Sequence, residues 1–286
     1  MNIAIIGLGE VGRCYAAPLH RAGYTLNLCE MHPSAAAKEL AAKAGLRIHA
    51  QAGAWLAEAQ LVLSCVTGTT SLQVLDQVLP HLANGALLAD LTTASPEVKR
   101  EGGKRAAETG IRYVDTAIMG AISLGLVRTP LLASGEGASQ LKEILEIAGA
   151  RVQVIADGKA GDAIALKILR SIYTKGVEAL TVELLMSAER QGVREKLYEQ
   201  LSDMDRTPVR ALMDMLVRTH VIHAKRRAHE VHDAQAELTS QGLTSIVLPG
   251  VEARFKKTVQ ALETHPLPVP EPSVEQSLDW LLASAR

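Results

Sequence analysis

Aromatic side chains are scarce in this 286-residue sequence: one Phe, two Trp and five Tyr. A core with so few large rings must close by other means, and the many alanines point to helices packed at short distance. Net charge is nearly absent as well, with 30 Lys and Arg against 31 Asp and Glu. That balance gives no basis for expecting nucleic acid or an anionic membrane as a partner. Cysteine is limited to Cys14, Cys29 and Cys65, each inside a predicted helix or strand and none at metal-ligand spacing. They are expected to be reduced, buried thiols of a cytoplasmic protein, with no metal site. No apolar run is long enough to span a membrane. The N-terminus enters a predicted strand at once, so no signal peptide is expected ahead of it.

What the chain does have is a 48% hydrophobic composition, enough for a sizeable core, and an ordered start. Asn2-Ile-Ala-Ile-Ile6 is a short β-branched run that reads as a buried strand. It leads into Gly7-Leu-Gly9-Glu-Val-Gly12, then a helix over 13–22 ending at Gly23, then the strand Tyr24 to Cys29, then Glu30. Strand, G-x-G-x-x-G, helix, strand and acid in this order form the dinucleotide-binding fingerprint in its required context. Gly7 serves the turn, Gly9 the approach of a pyrophosphate and Gly12 close helix–sheet packing, while the helix N-terminus offers unpaired N–H groups to phosphate. Gly7, Leu8, Gly9, Glu10, Val11 and Gly12 are therefore cofactor-binding candidates. Glu30 has the position of the acid that binds ribose hydroxyls. A 2′-phosphate would meet its carboxylate, with only Met31 and His32 following. NAD is expected rather than NADP.

The rest of the first half alternates strand and helix, as a doubly wound sheet should. Predicted helices cover 34–43, 71–79, a stretch from Pro96, and 139–147. Predicted strands cover 46–49, 61–66, 86–89, a stretch from Arg112, 131–134 and 152–154. The strand over 61–66 ends at Val66 and Thr67-Gly-Thr-Thr70, a hydroxyl-rich loop that either faces the cofactor or caps the helix beginning near Ser71. Near residue 158 the pattern changes. From Asp162 to Arg190 apolar residues recur at helical spacing with no break stronger than Gly176, predicting one long helix, more buried than amphipathic. Helices over 193–201, 209–228, 234–241, 249–262 and 274–284 follow. The reading is an α/β fold: a Rossmann-type doubly wound sheet in residues 1–158, then an all-helical domain in 159–286 for substrate binding and dimerisation.

Four stretches resemble the β-hydroxyacid dehydrogenase family, which includes 3-hydroxyisobutyrate and 6-phosphogluconate dehydrogenases. They are the glycine loop; Asp90-Leu-Thr-Thr-Ala-Ser-Pro96, like the family's D-x-S-T-x-x-P; Asp115-Thr-Ala-Ile-Met-Gly-Ala121, like D-A-P-V-S-G-G; and Gly158-Lys-Ala-Gly161 with Lys167, like G-x-x-G-x-G-x-x-x-K. The resemblance implies that Thr93 lies by the nicotinamide, that 119–121 bind substrate and that Lys167 is catalytic. Met119 stands where the family has serine, Ala121 where it has glycine, Ala163 where it has the third glycine of the lysine signature, and Ser171 where it has asparagine. These departures, with the run from Arg170 onward, resemble a divergent and largely uncharacterised branch.

The chemistry of those residues supports an alcohol oxidation. Lys167 sits in an apolar helical run, where burial lowers an amine's pKa toward the range of a useful acid/base; the alternative is a snorkelling or ion-paired lysine. Arg170 and Ser171 share its face. Arg170 either grips a substrate carboxylate or forms a salt bridge, and Ser171 replaces the asparagine. Met119, Gly120 and Ala121 are substrate-binding candidates. On a later helix Arg226 or Arg227 shares a face with His223 and Glu230, and Arg227 is the substrate-binding candidate. Residues of a comparable helix reach substrate in the family, and a solvated charged face is the alternative. The expected activity is NAD(P)-dependent dehydrogenation of a β-hydroxy acid, with a small-molecule hydroxy acid as substrate and a homodimer as the assembly. The alternatives are an oxidative decarboxylase or C=N reductase on the same fold, or a non-catalytic nicotinamide-binding redox sensor.

Overall fold

The structure, a computed structural model, describes residues 1–285. Its chain forms two compact units, Met1–Ser171 and Ile172–Arg286. The first is built on β1 (Asn2–Ile6), α1 (Glu10–Arg21), β2 (Thr25–Cys29), α2 (Ala35–Ala44), β3 (Ile48–His49), β4 (Leu61–Ser64), α3 (Ser71–Val78), β5 (Leu87–Asp90), α4 (Pro96–Glu108), β6 (Arg112–Ile118), α5 (Ile122–Gly125), β7 (Pro130–Ser134), α6 (Ala138–Ile147) and β8 (Arg151–Val154). The strands make one sheet in the order β3-β2-β1-β4-β5-β6-β7-β8. All neighbours are parallel except β6 and β7. The central strands are closed to water: β1, β4 and β5 read as continuous apolar runs because both sheet faces are covered. Chain order reverses between β1 and β4, and the crevice at the carboxyl ends of these strands is where an open α/β sheet binds its ligand. This is the expected Rossmann-type α/β architecture, followed by helices.

α7 (Asp162–Arg190) is a single 29-residue helix that begins in the first unit and ends in the second. After it come α8 (Arg194–Gln200), α9 (Ser202–Asp205), α10 (Val209–Ser240), α11 (Leu248–Thr264) and α12 (Val274–Ala283). In the second unit α11 and α12 pack on α10. The final helix starts at a capping box, Ser273 with Gln276, and Trp280 donates its indole N–H to the His265 carbonyl at 3.0 Å. This last helix packs on its own chain.

Three readings need correction. The segments 209–228 and 234–241 are one helix, because the polar stretch between them contains no Gly or Pro and the i,i+4 ion pair Arg226–Glu230 runs into it. Beyond its first turn α7 is mostly open: Ile172, Val182 and Met186 are 67, 54 and 54% exposed, and near its end only Ser187 and Ala188 are buried. The helices of that unit pack on one another and leave this apolar surface open. Cys14 is half-exposed, since it lies toward the outer side of α1, whereas Cys29 and Cys65 are buried. No helix among the described residues is long and apolar enough to cross a membrane.

The sheet centre carries the stability of the first unit. Leu63 is fully buried in β4, and Leu63→Ala is expected to cost about 2–5 kcal/mol through lost transfer and the cavity left behind. A urea unfolding curve with a lower midpoint and an unchanged slope is the check.

Candidate active site

The glycine loop runs from β1 into α1 and is held by contacts that exclude side chains. Gly7 has φ +90°, and a Cβ there would lie 2.8 Å from the Cys65 carbonyl oxygen on the neighbouring strand. A Cβ on Gly12 would lie 1.9 Å from the Gly7 carbonyl oxygen, so loop and helix close on each other only with glycine. Gly9, the N-cap of α1, has open space on its Cβ side, and no side chain caps the helix there. The first N–H groups of α1 therefore face an open cradle, the arrangement that accepts a diphosphate. Val11 packs inward against the sheet core and Glu10 opens the helix.

Glu30, at the end of β2, reaches back to this loop. Its carboxylate accepts the Leu8 N–H at 2.9 Å and the His32 N–H at 3.2 Å. Each oxygen keeps lone-pair capacity for a further donor. Beside it opens a cavity of about 700 Å³ lined by Gly7, Glu30, Met31, Val66, Thr70 and Gln73. Three of the residues singled out for the cofactor thus share one cavity of a size that suits a small-molecule or cofactor site. The residues present fit a dinucleotide: an uncapped helix start over an open glycine, a carboxylate with spare lone pairs, and a cavity beside both. Thr67 bonds through its hydroxyl to those of Thr69 and Thr70, at 3.1 and 3.0 Å. α3 has no side-chain cap, so the capping alternative for these threonines does not hold.

The second centre is built where α7 begins. Ala163 and Ile164 are fully buried, so their N–H groups cannot turn to water. The Ser134 hydroxyl, at the end of β7, accepts from Ala163 N–H at 3.0 Å, and Asp115 of β6 accepts from Ile164 N–H at 2.9 Å. One turn later Lys167 comes to Thr93, its Nζ donating to the Thr93 hydroxyl at 3.3 Å across 74 residues of sequence. The lysine is half-buried and its contact is a hydroxyl, not a carboxylate. Burial first, and the Lys99 ammonium second, push its pKa below the ordinary lysine value; Asp115 opposes them.

The remaining candidates divide. Met119, Gly120 and Ala121 follow β6; Met119 packs on the small cluster that includes Ala163 and Ile164, while Gly120 and Ala121 are exposed. Met119 is thereby engaged with the helix start rather than open to a ligand along its whole length. Ser171 donates its hydroxyl to the Lys167 carbonyl at 2.9 Å, so it presents lone pairs and not the donor that an asparagine would offer. Arg170 is exposed on the same helix. Arg227 belongs to the helical unit, where it donates to Thr219 of its own helix at 2.9 Å, beside the Arg226–Glu230 pair.

Sequence reasoning missed what holds this centre. Lys99, in the first turn of α4, is fully buried, with its Nζ 2.7 Å from the Asp90 carbonyl oxygen, 3.0 Å from Asp90 Oδ1 and 3.4 Å from Asp115 Oδ1. Ser71 and Tyr113 donate to Asp90 Oδ2 at 2.8 and 2.6 Å, and Thr92 N–H to Oδ1 at 2.9 Å. Burial raises the Asp90 pKa, but Lys99, Tyr113 and Thr92 together bring it below the usual carboxylate range. Burial leaves Asp115 above that range in spite of Lys99. A signal was present: an acid inside each of two family-like motifs, Asp90 at the end of β5 and Asp115 within β6, and a lysine one turn into the helix that follows β5.

Comparison with known proteins points to the same fold. Residues 2–156 match the NAD binding domain of 6-phosphogluconate dehydrogenase, and residues 188–258 match a domain of unknown function. An uncharacterised 28.5 kDa protein of Methanothermus fervidus is 28% identical over 90% of this chain and 98% of its own. A 3-hydroxyisobutyrate dehydrogenase of Pseudomonas aeruginosa is 26% identical over 67% of this chain and 65% of that enzyme. Among solved structures, a conserved protein described as structurally similar to 3-hydroxyacid dehydrogenases is 26% identical, with a TM-score of 0.64 and 99% of each chain covered.

Gly12→Ala is the sharpest test of the cradle. With its Cβ on the Gly7 carbonyl, the loop must open, and NADH affinity read by fluorescence titration is expected to fall at least about tenfold, 1.4 kcal/mol or more. Far-ultraviolet circular dichroism should remain that of the parent.

Proposed function

The chain belongs to the family of the NAD binding domain of 6-phosphogluconate dehydrogenase, and from that premise we propose that it is an NAD-dependent dehydrogenase oxidising the CH–OH group of a small β-hydroxy acid, with Lys167 as the general acid/base. The observation that carries the reading is the half-buried Lys167 amine hydrogen-bonded to Thr93 at the carboxyl end of the sheet. In this reading Gly7 to Gly12 hold the diphosphate, Glu30 holds the adenosine ribose, and Val66, Thr67 and Thr93 line the route to the nicotinamide. Glu30 favours NAD, because a 2′-phosphate would be repelled by its carboxylate.

Bound NAD supplies the hydride acceptor. The chain's part is the proton. Neutral Lys167 takes the hydroxyl proton as the C–H hydride leaves, and the resulting ammonium stabilises the new carbonyl oxygen. Burial favours the neutral amine that this step needs. Thr93, donating or accepting through its hydroxyl, holds the amine at the strand end. Gly120 offers its backbone N–H to the substrate, with Met119 and Ala121 on either side, and Arg170 stands one turn beyond the lysine for the carboxylate; Ser171 spends its hydroxyl hydrogen on the Lys167 carbonyl and takes no part in holding it.

The proposed partner in solution is a second copy of the chain, which would cover the exposed apolar side chains of α7. Sedimentation equilibrium should give twice the chain mass, and Ile172→Glu with Val182→Glu should give a monomer.

Turnover is to be read as NADH formation on a panel of aliphatic, sugar-derived and aromatic β-hydroxy acids, with NADP alongside and a panel of imines in the reverse direction. Lys167→Ala is expected to lower kcat by about 10²–10⁴-fold with NADH affinity kept. As the lysine's pKa is lowered, oxidation should fail only as pH drops through that lowered value, with an acid limb below the ordinary lysine pKa of about 10.4. Full turnover in Lys167→Ala would sink the mechanism. NADH binding without turnover on any panel would favour the sensor.

A further inference from the structure

Lys99 has no exposed surface and cannot touch substrate or cofactor, yet it joins the elements that carry the proposed chemistry. Asp90 and Asp115 are register partners on adjacent parallel strands, so their carboxylates face one side of the sheet, and the Lys99 ammonium bridges them from α4. On one side Asp90 binds Thr92 N–H, the residue before Thr93. On the other, Asp115 binds Ile164 N–H, one turn before Lys167. We propose that Lys99 is a positioning residue: through Asp90 and Asp115 it fixes the strand end carrying Thr93 against the helix start carrying Lys167, and so sets the placement of the Lys167 amine. This rests on the reading of Lys167 as acid/base.

The alternative is a lysine that only neutralises two buried acids. The two roles differ in what they do to turnover: a lysine that only neutralises the acids leaves kcat at the pH optimum unchanged in a folded variant, whereas a positioning residue does not. The charged groups facing Lys167 are Lys99 from α4 and Asp115 from β6, with Arg170 on its own helix. Those facing Lys99 are Asp90 from β5, Asp115 from β6 and, through Asp90, Tyr113. Lys99 disfavours a proton on Lys167 and Asp115 favours one, so removing either should move Lys167 in opposite directions.

The test uses the full-length protein with its exposed lysines reductively methylated with ¹³C-formaldehyde and titrated by NMR. Lys167 is assigned by the peak missing from Lys167→Arg, and Lys99, being buried, takes no label. Lys99→Met should raise the Lys167 midpoint and lower kcat at least tenfold with NADH affinity unchanged. Asp115→Asn, which keeps an oxygen for Ile164 N–H, should move the midpoint down. It serves as the second reading should Lys99→Met fail to fold. An identical Lys167 midpoint in the parent and in every folded variant would overturn the proposal, even with Lys167→Ala inactive. Opposite shifts alongside full turnover in Lys167→Ala would instead uphold the coupling of Lys99 and Asp115 to Lys167 and overturn the acid/base reading.

Discussion

Two N–H groups at the start of α7 have nowhere to go but the sheet. Any helix begins with donors that lack intrahelical partners, and here Ala163 and Ile164 lie where water cannot serve them. The Ser134 hydroxyl and the Asp115 carboxylate take them. A 29-residue helix is thereby pinned at its first turn to β6 and β7. Everything the site does with Lys167 follows from that pinning, because a residue one turn from a fixed end has little freedom in where its backbone stands. Only then can a long flexible side chain be brought to Thr93.

The cofactor end obeys a different constraint, that of volume. Gly12 lies against the carbonyl of Gly7 with no room for a methyl group, and Glu30 draws the intervening loop down by its Leu8 N–H. The cradle is shaped by the chain itself. The two ends lie on one sheet edge because β1, β4, β5 and β6 are parallel neighbours whose carboxyl ends open the same way.

The fold was legible where residues make local demands. Short apolar runs bounded by turn residues mark most of the strands, and Pro96 opening α4 and the Ser34 cap of α2 stand where the residue types place them. The glycine loop was legible for the same reason: its spacing is itself the geometry. The meeting of Lys167 with Thr93 was legible only by resemblance, since 74 residues separate them. Lys99 was not read at all. A lysine in a helix's first turn looks like a solvated charge, and nothing local reveals that two acids from neighbouring strands will enclose it. The long helix misled in the opposite sense: an apolar sequence reports that something should cover it, not whether the same chain does. The break placed after Ala228 failed because charge density is not a helix stop.

The closed charge cluster of Lys99, Asp90 and Asp115 also bears on how such a sequence can change over time. Removing one partner of a buried ion pair strands the other, at a cost of about 3–5 kcal/mol, whereas exchanging all of them for apolar groups of similar volume can be neutral. Each member is thus constrained by the rest, and the path from this arrangement to an uncharged one runs through intermediates of lower stability. Substitutions here are strongly epistatic. The surface of α4 can drift one residue at a time. Its buried lysine is inherited with both aspartates or replaced together with them.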